Sequence, residues 1–246
     1  MRSNNTPARA DIPVLVYHRI GTAPAGSRHP DTYVDSRALT RQLTVLKALG
    51  YRTVSAEQYE KSQRGIPCRL PSKPVLLTFD DGSSTVYSEA LPILKSYGFS
   101  AVVFMVSSLM GQPAGWDAET AESGHRQLTA EELRALSREG WSVGSHTATH
   151  ARLPDLGFQA LQEELLESKK ALEALVGQEV DWFAYPYGNF DERTTEAVSR
   201  AGYRIAFATE EGNGFPFSIP RRVISGRTGI LRFLRRLLQA RRMSRR

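Results

Sequence analysis

Pro74-Val75-Leu76-Leu77-Thr78-Phe79-Asp80-Asp81-Gly82 is the stretch on which the reading of this chain turns. Val75 to Phe79 form an apolar run without the in-and-out alternation of a half-exposed strand, the pattern of a parallel strand covered on both faces. Two carboxylates at its C-terminal end would be costly in a core. They are useful at the mouth of an α/β sheet or barrel, where loops build sites. Successive residues leaving a strand point in different directions, so one carboxylate can grip a cation while its neighbour faces a substrate. Gly82 frees the turn that follows.

Further along, Trp141-Ser142-Val143 suggests a short strand, broken by Gly144-Ser145 just before His146 and His150. The i, i+4 spacing predicts one helical turn that brings both imidazoles to the same side. Two neutral imidazoles and one carboxylate leave positions open for water and substrate, as in a catalytic rather than a structural metal site. Such a set suits zinc first, with cobalt, nickel or ferrous iron as alternatives. Cys68 is the only cysteine, which excludes a thiolate cluster and an internal disulfide. Each motif alone has a plainer reading, Asp-Asp-Gly as a turn and the histidine pair as a solvated helix face. Their joint occurrence in a chain of five histidines favours a metal site with a base beside it.

The pattern Thr78 to Gly82 followed by Ser145-His146-Thr147-Ala148-Thr149-His150 resembles the metal-dependent polysaccharide deacetylases of carbohydrate esterase family 4, the NodB-like domain. That resemblance implies an irregular (β/α)7-type barrel in one domain, with Asp80 as general base and Asp81, His146 and His150 as ligands of a divalent metal ion. Phe183-Ala184-Tyr185-Pro186-Tyr187-Gly188 resembles the family's Arg-x-Pro-Tyr element, in which the backbone N–H matching Tyr187 helps hold an oxyanion. Two departures are visible. Ala184 stands where the family has an arginine that orients the base, and no histidine follows His150 to supply the family's usual C-terminal general acid.

The N-terminal stretch Ile12-Pro13-Val14-Leu15-Val16-Tyr17-His18 offers a replacement for the acid. It resembles the opening of the circularly permuted branch that acts on poly-N-acetylglucosamine, which makes His18 the candidate acid, histidine being the side-chain type that exchanges protons near neutral pH. For the missing arginine, Arg222 in Ile219-Pro220-Arg221-Arg222-Val223-Ile224 is the candidate partner of Asp80. The implied reaction removes an N-acetyl group from an amino sugar or polysaccharide of N-acetylglucosamine type. Asp80 takes the proton of the attacking water, the Tyr187 N–H steadies the oxyanion, and His18 protonates the departing amine. Trp116, Trp182, Phe183, Tyr185 and Tyr187 are aromatic candidates for stacking on sugar, against the commoner role of core packing.

The remaining chain reads as alternating helices and strands, which favours a parallel sheet or barrel over a sandwich. A helix is expected over Leu39–Leu49 after an Asp35-Ser36 cap, then a strand at Tyr51–Val54, a helix over Ser84–Tyr97 and a strand at Ala101–Val106. Ser107 to Gln127 is expected to be a loop over the site. Thr129-Ala130-Glu131-Glu132 has the form of a capping box displaced by about a residue. Later helices are expected near Gly157–Leu175 and Asp191–Ala201, with a strand at Tyr203–Ala208. The 246 residues divide into a polar extension 1–11, a deacetylase-like domain 12–228, and a basic amphipathic helix and tail 229–246.

The net charge of +6 is local: Arg221 to Arg246 hold ten arginines and no acid, so the rest carries about −4. That excludes a broadly basic nucleic-acid surface. Ile230, Leu234, Leu237 and Leu238 share one helical face, expected to dock on the barrel. A peripheral contact with anionic lipid or polymer is the alternative. Met1 to Ala10 is polar and Ile12 to Val16 is too short for a signal-peptide core, so the chain as written is expected in the cytoplasm or at a membrane face, and in the periplasm or outside the cell if the sequence is truncated. Two other functions stay open: hydrolysis of a non-sugar amide on the same site, and non-catalytic polysaccharide binding. The sequence leaves oligomeric state open.

Overall fold

The computed structural model describes residues 10–114, 125–210 and 212–243, with side chains through Arg241. Its strands are β1 (Val14–Tyr17), β2 (Arg19–Ile20), β3 (Tyr33–Val34), β4 (Arg52–Thr53), β5 (Pro74–Phe79), β6 (Val102–Met105), β7 (Ser142–Ser145), β8 (Trp182–Ala184), β9 (Ile205–Phe207) and β10 (Arg222–Val223). The helices are α1 (Ser36–Ala48), α2 (Ala56–Gln63), α3 (Leu91–Tyr97), α4 (Ala130–Arg138), α5 (Phe158–Val176), α6 (Glu192–Arg200) and α7 (Ile230–Met243). The main sheet is parallel and runs β10-β1-β5-β6-β7-β8-β9, with β4 added beside the start of β5.

The sheet curls almost into a closed ring. Ile219 bridges Phe207 of β9, while three residues later Arg222 pairs with Leu15 of β1, so the segment 219–223 joins the two sheet edges. The period-two alternation of strands sorts side chains to the two faces. Ile12, Val14, Leu76, Val102, Phe104, Trp182, Ala184, Ile205 and Phe207 form one buried cluster inside the curl, joined by Tyr59 of α2. The intervening residues Leu15, Val75, Leu77, Val103 and Met105 face outward into a second cluster with α1, α3, α4 and α7. The unbroken apolar runs are therefore strands buried on both faces, and each large side chain contributes roughly 1.5–3 kcal/mol by leaving water.

Helix ends follow the local sequence. Asp35 caps α1 through bonds from the Arg37 and Ala38 N–H groups, 2.9 and 3.2 Å. Thr129 and Glu132 form a capping box in register, one residue better placed than the sequence reading had it. A second box, Ser55 with Gln58, opens α2. Helix α3 begins as a wider π turn, Val86–Ala90, and Gly98 closes it in the left-handed conformation that favours glycine.

Helix α7 docks, but on a face rotated from the expected one. Phe233, Leu237 and Ala240 are buried, whereas Leu238 is 58% exposed and Leu231 is 84% exposed. Both leucines stand on the solvent side with Arg232 and Arg235. Among the described residues no helix is long and apolar enough to cross a membrane. Trp116 and the centre of the expected site-covering loop lie outside the described residues.

Candidate active site

The interior face of β5 runs from Leu76 through Thr78 to Asp80, and this places the first carboxylate at the top of the barrel. The Asp80 N–H donates to the Tyr17 carbonyl at 3.0 Å, which continues the β1–β5 ladder past the strand end. Asp81 then turns away with φ of 69° and Gly82 follows with φ of 73°. Any side chain at Gly82 would run into the Met105 side chain. The two aspartates thus diverge, as the strand-end reading required.

His146 follows β7, its N–H bonded to the Met105 carbonyl at 2.9 Å. The histidine pair does not sit on a helical turn, contrary to the spacing argument. Residues 146–150 form a loop in which Thr147 and His150 have φ of 67° and 69°, and the His150 N–H donates to Thr147 Oγ1 at 2.9 Å. Glu164 of α5 fastens this loop from outside, accepting from the N–H groups of Ala148 and Thr149, each at 2.9 Å, and from the Thr149 hydroxyl at 2.6 Å. Nothing in the sequence pairs Glu164 with the loop, because the contact is set by how α5 packs.

The outcome is a compact set of donors. Asp81 Oδ1 lies 3.5 Å from His146 Nε2 and 3.4 Å from His150 Nε2. One ligand atom from each of the three residues falls within 4.8 Å of the others, and all three side chains are buried. His146 Nδ1 lies 2.7 Å from the Ala184 carbonyl, which can only accept. Nδ1 therefore carries the proton and Nε2 turns its lone pair toward Asp81. Two imidazoles and a carboxylate at this spacing fit a divalent ion.

Asp80 has a different partner. Arg221 Nη1 and Nη2 lie 2.7 and 2.6 Å from its two carboxylate oxygens, a bidentate pair in which both residues are buried. Arg221 also donates to Thr78 Oγ1 at 3.1 Å and to the Ala208 carbonyl at 2.9 Å, and its guanidinium lies over Phe104 and Phe207. The expected partner, Arg222, points elsewhere: it pairs with Glu210 at 3.0 Å, which Arg236 also holds. The reason is strand parity. Neighbouring residues face opposite sides, and Arg221 takes the inward position. Arg221, the residue before β10, thus brings a buried cation to Asp80 from a segment remote in sequence.

Charge states follow from these contacts. Burial pushes the Asp80 carboxyl up, yet the Arg221 guanidinium and the imidazoles of His146 and His18 outweigh it, and the pKa ends below the usual carboxylate value. Burial opposes ionisation of Asp81 as well, but the imidazoles of His146 and His150 beside it hold its pKa well below that value. Burial lowers His150, against the opposing pull of Asp81. Both carboxylates are therefore anions and His150 is a neutral imidazole at neutral pH.

His18 follows β1, the strand hydrogen-bonded to β5, and is half-buried. Tyr17 is in register with Phe79 in the parallel β1–β5 pair, so His18 leaves the sheet at the same end as Asp80. Tyr187 closes the ring with φ of 60° and its hydroxyl 3.2 Å from His150 Nδ1. Among the described residues Asp81, Thr147, His150 and Tyr187 are the non-glycine residues with positive φ, and all four belong to the site. Such conformations cost of order 1–3 kcal/mol each and collect where geometry is functional. Of the aromatic candidates, Trp182, Phe183 and Tyr185 are buried packing residues, while Tyr187 is 46% exposed.

Residues 69–206 match the family model described as polysaccharide deacetylase. That span holds Asp80, Asp81, His146, His150 and Tyr187; His18 and Arg221 lie outside it. Bacillus subtilis (strain 168) YxkH, named for the same family, is 31% identical over 208 residues, 84% of this chain and 67% of the relative. A Staphylococcus aureus poly-β-1,6-N-acetyl-D-glucosamine N-deacetylase is 26% identical over 172 residues, 64% of this chain and 56% of the relative. The chain thus spans between half and about two thirds of the length of these curated relatives. The Streptococcus pyogenes deacetylase PplD, solved in complex with acetate, superposes with a TM-score of 0.77 at 26% identity, covering 92% of this chain and 97% of the other. A family match running over more than half of its length places this chain among the polysaccharide deacetylases.

Proposed function

We propose that the chain hydrolyses N-acetyl groups on an amino sugar polymer of N-acetylglucosamine type, releasing acetate and a free amine. The observation that carries this reading is the division of labour between the adjacent carboxylates: Asp81 completes a three-donor cation site, while Asp80 is held ionised by Arg221 and left beside it. A divalent ion bound by Asp81, His146 and His150, with zinc the best match, would supply Lewis acidity toward water and acyl oxygen. Asp80 accepts the proton of the attacking water. The backbone N–H of Tyr187 donates to the oxyanion, and His18 delivers a proton to the amine as the C–N bond breaks. The substrate class follows the family, the name of the Staphylococcus aureus relative and the acetate held by the Streptococcus pyogenes deacetylase.

The test compares acetate release from β-1,6-linked N-acetylglucosamine oligomers, chito-oligomers and a panel of non-sugar amides, with metal content measured in parallel. Wild type is expected to act on the sugar oligomers, and Asp80→Asn to keep its metal while losing roughly 10²–10⁴-fold in turnover. Turnover of non-sugar amides alone would reject the substrate class. An Asp80→Asn variant as active as wild type would reject the mechanism.

The exposed strip Leu231, Arg232, Arg235 and Leu238 on α7 supports a peripheral contact with anionic lipid: apolar side chains interleave with cations on a helix without acidic residues. Binding to phosphatidylserine-containing vesicles that weakens with salt and is lost in Leu231→Ser/Leu238→Ser is the expected result. Equal binding to neutral vesicles, or none, counts against it.

A further inference from the structure

The loop that presents the two histidines sends its backbone donors to side chains. The Thr147 N–H bonds to Ser145 Oγ at 3.3 Å and the His150 N–H to Thr147 Oγ1 at 2.9 Å, both acceptors belonging to the same stretch of chain. Between them the Ala148 and Thr149 N–H groups bond to Glu164 Oε2, each at 2.9 Å, and the Thr149 hydroxyl donates to Oε1 at 2.6 Å. The Ala148 N–H is shared with the Glu164 carbonyl at 3.2 Å. Glu164 is thus the one side chain that brings these donors an acceptor from another element.

An outside acceptor matters because the loop conformation is not one its residues favour. Thr147, which is β-branched, and the ligand His150 both stand in the left-handed region, which side chains with a Cβ seldom occupy. Without something to hold the turn, other backbone conformations compete with it, and in those His150 leaves Asp81. Helix α5 also holds the other end of the loop. Ser168, one helical turn on from Glu164, has its hydroxyl 2.8 Å from that of Ser145, and both residues are fully buried. The helix therefore grips the chain just ahead of each ligand, at Ser145 before His146 and at Ala148 and Thr149 before His150.

We propose that Glu164 is a positioning residue of the cation site: from α5 it holds the turn that presents His150, so the three donors are arranged before an ion arrives. Apparent affinity falls in proportion to the fraction of molecules in the binding-competent form. A carboxylate that does not touch the cation thereby sets how tightly the cation is held. Loss of Glu164 leaves the Thr149 N–H and hydroxyl without their acceptor and Ala148 with a backbone carbonyl alone. It also removes a negative charge, a separate effect that Glu164→Gln isolates, since the amide oxygen can still accept from the two N–H groups.

The inference rests on the reading above in one respect only, that a divalent cation occupies the three donors. The experiment accordingly reads binding, so failure of the deacetylase reading leaves it intact. Zinc affinity of the full chain, stripped with chelator, is measured by competition with a chromophoric chelator, with circular dichroism reporting the fold. The control is Glu163→Ala on the same helix, an exposed residue bonded to Gln159. Glu164→Ala is expected to weaken zinc binding about 10- to 100-fold, the range for losing support outside the ligands themselves. Glu164→Gln should stay closer to wild type than to Glu164→Ala, and Glu163→Ala should match wild type. In the zinc-free protein, hydrogen exchange at the Thr149 amide should be faster in Glu164→Ala than in wild type, and saturating zinc should slow it again. Zinc affinity of Glu164→Ala within twofold of wild type, equal losses in Glu164→Ala and Glu164→Gln, or unchanged exchange at Thr149 would each overturn the proposal. If Glu164→Ala does not fold, Thr149→Val, which removes the hydroxyl donor to Glu164, decides with the exchange measurement: wild-type zinc affinity and wild-type exchange refute it.

Discussion

Asp80 and Arg221 show what one position of strand parity decides. Replacing Arg221 with Ala leaves a buried carboxylate without its counter-charge, so stability should fall by about 3–5 kcal/mol in denaturant titrations, and turnover should fall with it as the Asp80 pKa rises. Arg222→Ala removes only the contact with Glu210 and should leave turnover close to wild type. The lowered carboxyls also fix the sign of the pH response. Asp80 and Asp81 bind fewer protons in the folded chain than in the unfolded one, so their contribution is present above the unfolded value of about 4 and is lost as pH falls toward their folded values. His150, lowered by burial, contributes above its unfolded value of about 6.5 and loses that contribution below it. Thermal melts of the zinc-free protein should therefore decline in two acid steps, the first absent in His150→Gln. The cluster of Asp81, His146 and His150 was legible because acid and imidazole side chains are themselves the metal-binding chemistry. The choice between Arg221 and Arg222 was not, since a two-residue strand has no periodicity from which to read an inward face.

At the scale of elements, long apolar runs and caps were readable and short connections were not. The run Val75–Phe79 lies in β5, and the Asp35, Thr129 and Asp191 caps open α1, α4 and α6. These signals are local, a backbone N–H finding an oxygen a few residues away. The loop 146–150 escaped because i, i+4 spacing describes a helix as readily as a turn, and Glu164, which selects the turn, is supplied by another element. The α7 face escaped for a related reason: a helix rich in leucine at several angles has more than one plausible stripe, and packing on β1 and α1 chose Phe233 and Leu237. Glycine in β7 has a use that only packing reveals. A Cβ on Gly144 would sit 2.5 Å from the Phe104 ring and 3.0 Å from the Trp182 carbonyl. Gly144→Ala should therefore cost about 1–3 kcal/mol by overpacking, read as a lower denaturant midpoint, and should weaken metal binding because His146 lies two residues on.

Across the whole molecule, the barrel is closed by a segment that belongs to neither half of the sheet. Ile219 binds to β9 at one end and Ile224 donates to the Val16 carbonyl at 2.8 Å at the other, with Arg221 between them inside the curl. Helix α7 then braces the seam through Phe233. Phe233→Ala should cost about 3–5 kcal/mol, lowering the melting temperature by roughly 2–4 °C per kcal/mol at this chain length, with parallel loss of the Asp80 environment. The fold class was legible from alternation of elements; the closure was not, because it depends on a bridge between residues adjacent in space only after the sheet has curled. In chain order, Arg221 comes after every other residue of the site. A nascent polypeptide therefore has its acids and imidazoles long before it has the cation that keeps Asp80 charged, and the stitch that shuts the wall is the same one that delivers it. Assembly and switching-on are a single event, so a half-made molecule is an inert one.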